Sequence, residues 1–279
     1  MPWHIFILEN FRVINKYQKL DAVKSILSEL KTVAVAYSGG IDSSFLLKIG
    51  YDVLGEKCAG ITAVSEVMLK HELESIDRII KLIGVTHYFV QSYEMDDPDF
   101  ISNSADRCYY CKARKLDAIF ACAAEHGFQY IVDGTNVDDR GDHRPGKRAA
   151  KQRGVRSPLE EAGLSKQEIR ELAREVGLPN WNQPEDACLA SRIPYNTPIT
   201  EENLQRVDRA EQYLRSLRLQ QLRVRYHGAV ARIEVEQPDF EVILKHKDEI
   251  NKRLQAIGFT FITLDLAGFR SGNLNKLIK

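Results

Sequence analysis

Ser38-Gly39-Gly40-Ile41-Asp42-Ser43 separates a β-branched, apolar run at residues 32–37 from a segment of helical periodicity at 42–54. Two adjacent glycines let the backbone turn tightly and approach an anion closely. The helix start then aims its unsatisfied N–H groups and the positive end of its dipole at the same point. The hydroxyls of Ser38 and Ser43 add donors, and Asp42 is placed either to cap the helix or to reach a magnesium ion. Phosphate is the natural ligand of such a turn, although Ser and Asp also serve as ordinary helix caps. Sulfur provides the second reactive group. Cys108 and Cys111 form a C-x-x-C pair at the entrance of a helix, and Cys188 lies in an irregular segment. Three thiolates are one short of a closed tetrahedral zinc site. They suit a metal or cluster that keeps a coordination position open. The other reading is a pair of core, surface or redox-active thiols. Arg107 and Lys112 flank the pair, and neighbouring cations lower a thiol's pKa. Cys58 and Cys122 fall at apolar positions and read as inert core.

Strands are predicted at 32–37, 58–64, 86–90 and 129–133, alternating with helices at 42–54, 68–83 and 112–126; a helix at 16–30 precedes them. That order predicts an α/β fold with a parallel sheet covered on both faces. Ligands of such sheets bind outside the C-terminal ends of the strands, where the glycine turn and the cysteines would meet. Residues 134–154 read as a long functional loop or lid. An amphipathic helix at 165–176 and a proline-punctuated stretch up to 198 follow. Beyond it come a helix (201–217), strands (222–226 and 229–235), a helix (240–257) and a last strand (260–266), which together form a smaller α+β unit. The expected division is an extension, disordered or loosely docked, at 1–15, a nucleotide domain at 16–198 and a small domain at 199–279.

The turn lacks the Gly-Lys-Ser/Thr ending of a Walker A loop. It resembles instead the SGGxDS loop of the PP-loop ATP pyrophosphatases, which implies cleavage of ATP to AMP and pyrophosphate. Further segments are similar to one family within that group. They are Arg107-Cys108-Tyr109-Tyr110-Cys111-Lys112, Asp133-Gly134-Thr135-Asn136-Val137-Asp138-Asp139, and Gly141-Asp142-His143-Arg144-Pro145-Gly146. Val155-Arg156-Ser157-Pro158-Leu159, Cys188-Leu189-Ala190-Ser191-Arg192-Ile193-Pro194-Tyr195 and Gly268-Phe269-Arg270-Ser271-Gly272 continue the match. Together they resemble the LarE sulfur transferases of nickel-pincer nucleotide synthesis.

The resemblance implies adenylation of the carboxylates of pyridinium-3,5-biscarboxylic acid mononucleotide, followed by conversion to thiocarboxylates. It implies ATP and Mg²⁺, with Ser38, Gly39, Gly40, Asp42, Ser43, Gly134, Thr135, Asn136, Asp139 and Arg144 around the nucleotide. Asn136 and Asp139 read equally well as turn formers. In single-cysteine members the residue matching Cys188 surrenders its own sulfur. Three-cysteine members are expected to hold a 4Fe-4S cluster, here on Cys108, Cys111 and Cys188, and this second version is favoured. Arg223 and Arg225 alternate along one strand and share a face, where they suit a phosphate fork or form a solvated ladder. Arg270, Glu211 and Arg192 are candidate partners at that substrate-phosphate site, and Arg192 could also stabilise a thiolate or adenylate.

Lys plus Arg and Asp plus Glu number 39 each, so no net field draws the chain to nucleic acid or a membrane surface. The five unevenly spaced cysteines make a poor disulfide framework and favour a reducing, cytoplasmic setting. No apolar stretch approaches membrane length. Expected partners are a small-molecule nucleotide substrate, a sulfide or sulfur donor, and further copies of the chain. A tRNA thiolase would need a basic RNA-binding appendage. An ammonia-using synthetase would not need three cysteines, and a nucleotide sensor would not need an intact loop.

Overall fold

Val33–Ala36 is four consecutive buried apolar residues, the pattern of a strand covered on both faces. It forms β1, with parallel neighbours on either side. The computed structural model describes residues 3–68, 70–139, 145–183, 187–219 and 221–270. Arg144, residues 140–143, Glu185 and Ser271-Gly272 lie outside the described residues.

In chain order the first elements are α1 (Trp3–Leu30), β1, α2 (Ile41–Leu54), β2 (Cys58–Val64), α3 (Lys70–Ile83) and β3 (Thr86–Gln91). Then come α4 (Pro98–Ile101), α5 (Arg107–Glu125), β4 (Tyr130–Val132), α6 (Pro145–Gln152), α7 (Pro158–Glu161) and α8 (Lys166–Glu175). The four strands form one parallel sheet in the order β3-β2-β1-β4. The chain steps outward from β1 to β2 and β3, then returns to the other side of β1. The strand order therefore reverses between β1 and β4, and a ligand crevice opens where two loops diverge at such a reversal.

The remaining elements are α9 (Glu201–Ser216), β5 (Leu222–His227), β6 (Val230–Val235), α10 (Phe240–Lys245), α11 (Lys247–Ile257) and β7 (Phe261–Leu264). Their sheet has the order β5-β6-β7, antiparallel between the first pair and parallel between the second. Leu214, Leu222, Val224, Ile233, Leu254 and Phe259 belong to its buried core.

Two compact units result. One comprises Met1–Ser65, Lys70–Tyr93 and Cys108–Glu185; the other comprises Glu66–Leu69, Glu94–Arg107 and Asp186–Lys279. Asn103 holds the inserted segment within the second unit. Its buried Nδ2 donates to the carbonyls of Pro194 and Thr197, both at 2.8 Å.

Local expectations change along the chain. Helix α1 begins at Trp3, ahead of the predicted start at Lys16. The predicted lid at 134–154 contains α6, whose Ala149 and Ala150 are buried and hold it as a helix despite a charged sequence. The helix predicted over 240–257 breaks at His246, which has left helical backbone angles, so α10 and α11 are separate. Among the described residues no helix is long and apolar enough to cross a membrane.

His87 on β3 sits at 2.8 Å from the Thr62 hydroxyl and packs edge-on against Phe89. Burial holds its pKa down to about 4, against a weaker opposing pull from Asp77. The unfolded chain therefore takes up this proton first, and stability falls as pH drops from about 6.5 to 4, then levels off. After solvent screening the loss amounts to about 1–2 kcal/mol. Denaturant midpoints of wild type and His87→Gln at pH 7 and 4.5 should differ in slope by that amount; parallel slopes would exclude His87 as the source.

Candidate active site

The glycine turn emerges from the C-terminal end of β1. Gly39 has φ of +80°, a conformation that disfavours any residue with a side chain, and a Cβ there would lie 2.7 Å from Ile76. Gly40 is the extended N-cap of α2 and brings no capping side chain, so capping oxygens do not compete there for the first helical N–H groups. The Ser43 hydroxyl lies 3.1 Å from that of Ser38 and donates to the Gly40 carbonyl at 3.0 Å. Ser38 is exposed and Ser43 buried beneath it. The result is a shallow cradle of N–H and O–H groups, suited to pyrophosphate.

Asn180 fastens this cradle from behind. Its Nδ2 donates to the Gly39 carbonyl at 3.3 Å and to the Ser44 hydroxyl at 3.0 Å. The Ser44 hydroxyl is in turn 3.2 Å from that of Tyr37. Asn180 escapes sequence reasoning because it stands 141 positions from its partner, in a stretch without periodicity.

The loop after β4 forms the other wall. A Cβ on Gly134 would lie 2.7 Å from the Ser43 nitrogen and 2.9 Å from the Asp42 carbonyl carbon. Both are backbone atoms of the first turn of α2 and cannot swing aside. Gly134→Ala is therefore expected to cost about 1–3 kcal/mol of stability and to raise the KM for ATP at least about tenfold by displacing the Ser43 N–H. Steady-state kinetics checks this, and an unchanged KM would show that the close approach is not needed. Thr135 is tied through its N–H to Asp133 at 3.2 Å. Asn136 is buried; its Oδ1 accepts from Asp138 N at 3.0 Å while its own N–H donates to Asp139 Oδ2 at 3.0 Å. Asn136 and Asp139 thus shape the turn. Asp42, in the first turn of α2, is ion-paired with Lys166 at the start of α8.

The thiols fall in two chemical classes. Cys58 and Cys122 are buried, and burial pushes the Cys58 thiol up to about 12, as an inert core residue requires. Cys108 is exposed and Cys111 half-buried. Helix α5 begins at Arg107 rather than at 112, so the pair lies one turn apart on one helix face. Helix α6 packs on that turn: a Cβ on Gly146 would meet the Cys108 carbonyl at 3.2 Å, and Arg148 lies 4.5 Å from the Tyr109 ring. Arg107 is committed elsewhere, donating to Asn103 Oδ1 at 2.6 Å and lying over the Tyr195 ring. Lys112 pairs with Asp133 at 3.6 Å.

Cys188 belongs to the second unit. It is half-buried and caps the short 3-10 helix Leu189–Arg192. Arg192, 0% exposed, donates to the carbonyls of Ala187 and Cys188, which fixes the backbone that carries the thiol. Its Nε and Nη2 meet Glu211 at 2.8 and 2.9 Å, and Glu211 also accepts from Val224 N at 2.9 Å. Arg223 and Arg225 do share a face of β5, but each is only 5% exposed, so they are not a solvated ladder. Arg225 pairs with the buried Glu234 and donates to the Ser191 carbonyl at 2.8 Å; Arg223 lies over the Phe269 ring. Arg270, the residue after Phe269, is exposed. Among the described residues no three His, Cys, Asp or Glu side chains are gathered as a metal site.

No protein-family model matches the chain. An uncharacterized protein of Synechocystis sp. is 43% identical over 262 residues, covering 93% of this chain and 98% of that protein. The pyridinium-3,5-bisthiocarboxylic acid mononucleotide synthase of Lactiplantibacillus plantarum is 38% identical over 261 residues, covering 93% and 95%. The tRNA-specific 2-thiouridylase of Desulforamulus reducens is 24% identical over 204 residues, covering 56% and 53%.

Proposed function

Because the chain belongs to the LarE family of pyridinium-3,5-bisthiocarboxylic acid mononucleotide synthases, we propose that it adenylates both carboxylates of pyridinium-3,5-biscarboxylic acid mononucleotide and converts each to a thiocarboxylate. It is an ATP-using enzyme of the PP-loop fold. The observation that carries the reading is the cradle at residues 38–43, set at the strand-order reversal and closed by Gly134.

A substrate carboxylate oxygen attacks the α-phosphorus of ATP. The new P–O bond forms as the bond to the β-phosphate oxygen breaks, and pyrophosphate departs into the amides at the start of α2 and the hydroxyls of Ser38 and Ser43. These groups stabilise charge that grows on the leaving group, where preorganised donors lower the barrier most. Asp42 is the candidate Mg²⁺ ligand. Thr135, Asn136 and Asp139 shape the nucleotide-bordering loop, and Arg144 follows them in sequence as a further candidate contact. A sulfur nucleophile then attacks the acyl carbon and expels AMP. Arg223, Arg225 and Arg270 are the candidate holders of the substrate phosphate, and Arg192 with Glu211 positions the Cys188 loop.

Cys188 is the residue proposed to meet the acyl group. Cys108 and Cys111 fit two adjacent iron ligands by donor chemistry and by their spacing of one helical turn, and Cys188 would supply the third thiolate. When bound, a 4Fe-4S cluster with one iron left open to sulfide would supply transferable sulfur and spare Cys188. The test is incubation of the anaerobic protein with ATP, Mg²⁺, sulfide and the biscarboxylic mononucleotide. Pyrophosphate release and stepwise replacement of oxygen by sulfur in the mononucleotide, seen by mass spectrometry, are expected. Pyrophosphate without sulfur incorporation under reducing conditions would overturn the reading.

A further inference from the structure

We propose that Lys166 is a pyrophosphate ligand of the PP-loop, held ready by Asp42 and exchanged from Asp42 to the phosphates when ATP binds. The inference rests on the ATP-site reading above and adds to it a residue outside the glycine motif.

Lys166 is the first residue of α8, and its ammonium is paired with Asp42 in the first turn of α2, 124 positions away. The pair is mostly buried, with side-chain exposures of 21% and 19%. Several contacts fix the lysine's backbone at this spot. Its own N–H donates to Asp138 Oδ2 at 2.7 Å, and Val137 N donates to the Leu164 carbonyl at 3.1 Å. Ser165 and Glu168 close a reciprocal capping box over the same turn, and α8 packs along α2. The loop after β4 and the start of α8 are thereby stapled together beside the cradle.

The physical argument concerns what the ammonium would prefer. Asp42 stands where the dipole of α2 attracts negative charge, the position into which pyrophosphate is drawn. Pyrophosphate carries more charge and more acceptor oxygens than one carboxylate, so charge-assisted hydrogen bonding favours transfer of the ammonium to it. A lysine suits the exchange, because its charge is compact and its four-carbon stem flexible. The same move leaves the Asp42 carboxylate to Mg²⁺. The competing account is a fixed strut that joins α8 to α2 and takes no part in binding.

Calorimetric titration of the full-length chain with inorganic pyrophosphate and Mg²⁺ separates the two. Lys166→Met should weaken pyrophosphate binding by about tenfold or more, and Lys166→Arg should stay within about threefold of wild type. Wild-type affinity in Lys166→Met, whatever its thermal midpoint, would establish the strut and overturn the proposal. Should Lys166→Met fail to fold, reductive methylation of wild type replaces it. Lys166 should be protected about tenfold by pyrophosphate, and an unchanged labelling rate would overturn the proposal. A wild-type chain that bound no pyrophosphate would overturn the ATP-site reading itself, a result distinct from both.

Discussion

Cys188→Ala should lower thiocarboxylate formation by at least about a thousandfold, because the group proposed to meet the activated acyl carbon is gone. Substrate-dependent release of pyrophosphate in a single turnover should persist within about threefold of wild type, since Cys188 belongs to the second unit and the phosphate cradle to the first. Thiocarboxylate at near wild-type rates would remove Cys188 from the mechanism. Cys108→Ala then separates the two sulfur sources. If sulfur travels on a cluster, this variant should lose both bound iron, measured anaerobically, and sulfur transfer. If Cys188 is sacrificial, the variant should complete one transfer, and the mass of the chain should fall by one H₂S. Wild type with no iron after anaerobic reconstitution would exclude the cluster version.

The other large effect is expected at the Arg192–Glu211 pair. Both side chains are buried, and Arg192 joins three things: the carboxylate on α9, the Ala187 carbonyl and the Cys188 carbonyl. Glu211→Gln leaves the guanidinium buried with its charge uncompensated. That should cost about 3–5 kcal/mol, read as a lower denaturant midpoint at unchanged slope. The double variant Arg192→Met/Glu211→Leu removes both charges and should recover much of that stability. Its sulfur transfer should stay impaired, because the carbonyls beside Cys188 have lost their donor. Recovery of full activity with stability would show that the pair supports the core and does not position Cys188.

From sequence, Arg192 reads as a stabiliser of thiolate or adenylate, and the resemblance makes Glu211 a partner at the substrate-phosphate site. In the structure the two meet each other and the backbone around Cys188. Nothing in their spacing of 19 positions marks them as a pair. Arg107 is a parallel case. Its neighbourhood to Cys108 in sequence implies a tuned thiol, but its guanidinium is taken up by Asn103 and Tyr195. A helix turns consecutive side chains about 100° apart, so adjacency in sequence is not adjacency in space.

The features legible from the residues alone are local. The β1 run, the Gly39-Gly40 turn and the start of α2 are contiguous, and each is dictated within a few residues: apolar density for a covered strand, φ > 0 for Gly39, helical periodicity after Asp42. The parallel sheet followed from alternation of those signals, and the C-x-x-C pair from its spacing. Folding selects which distant groups close on the turn. Lys166 and Asn180 reach it from segments 124 and 141 positions away, and Gly134 enters it as a glycine without a side chain to read. Folding also joins residues 94–107 with 186–279. Period and propensity are properties of a window of residues, whereas these partners are chosen by packing and by the need to satisfy buried polar groups across the whole fold.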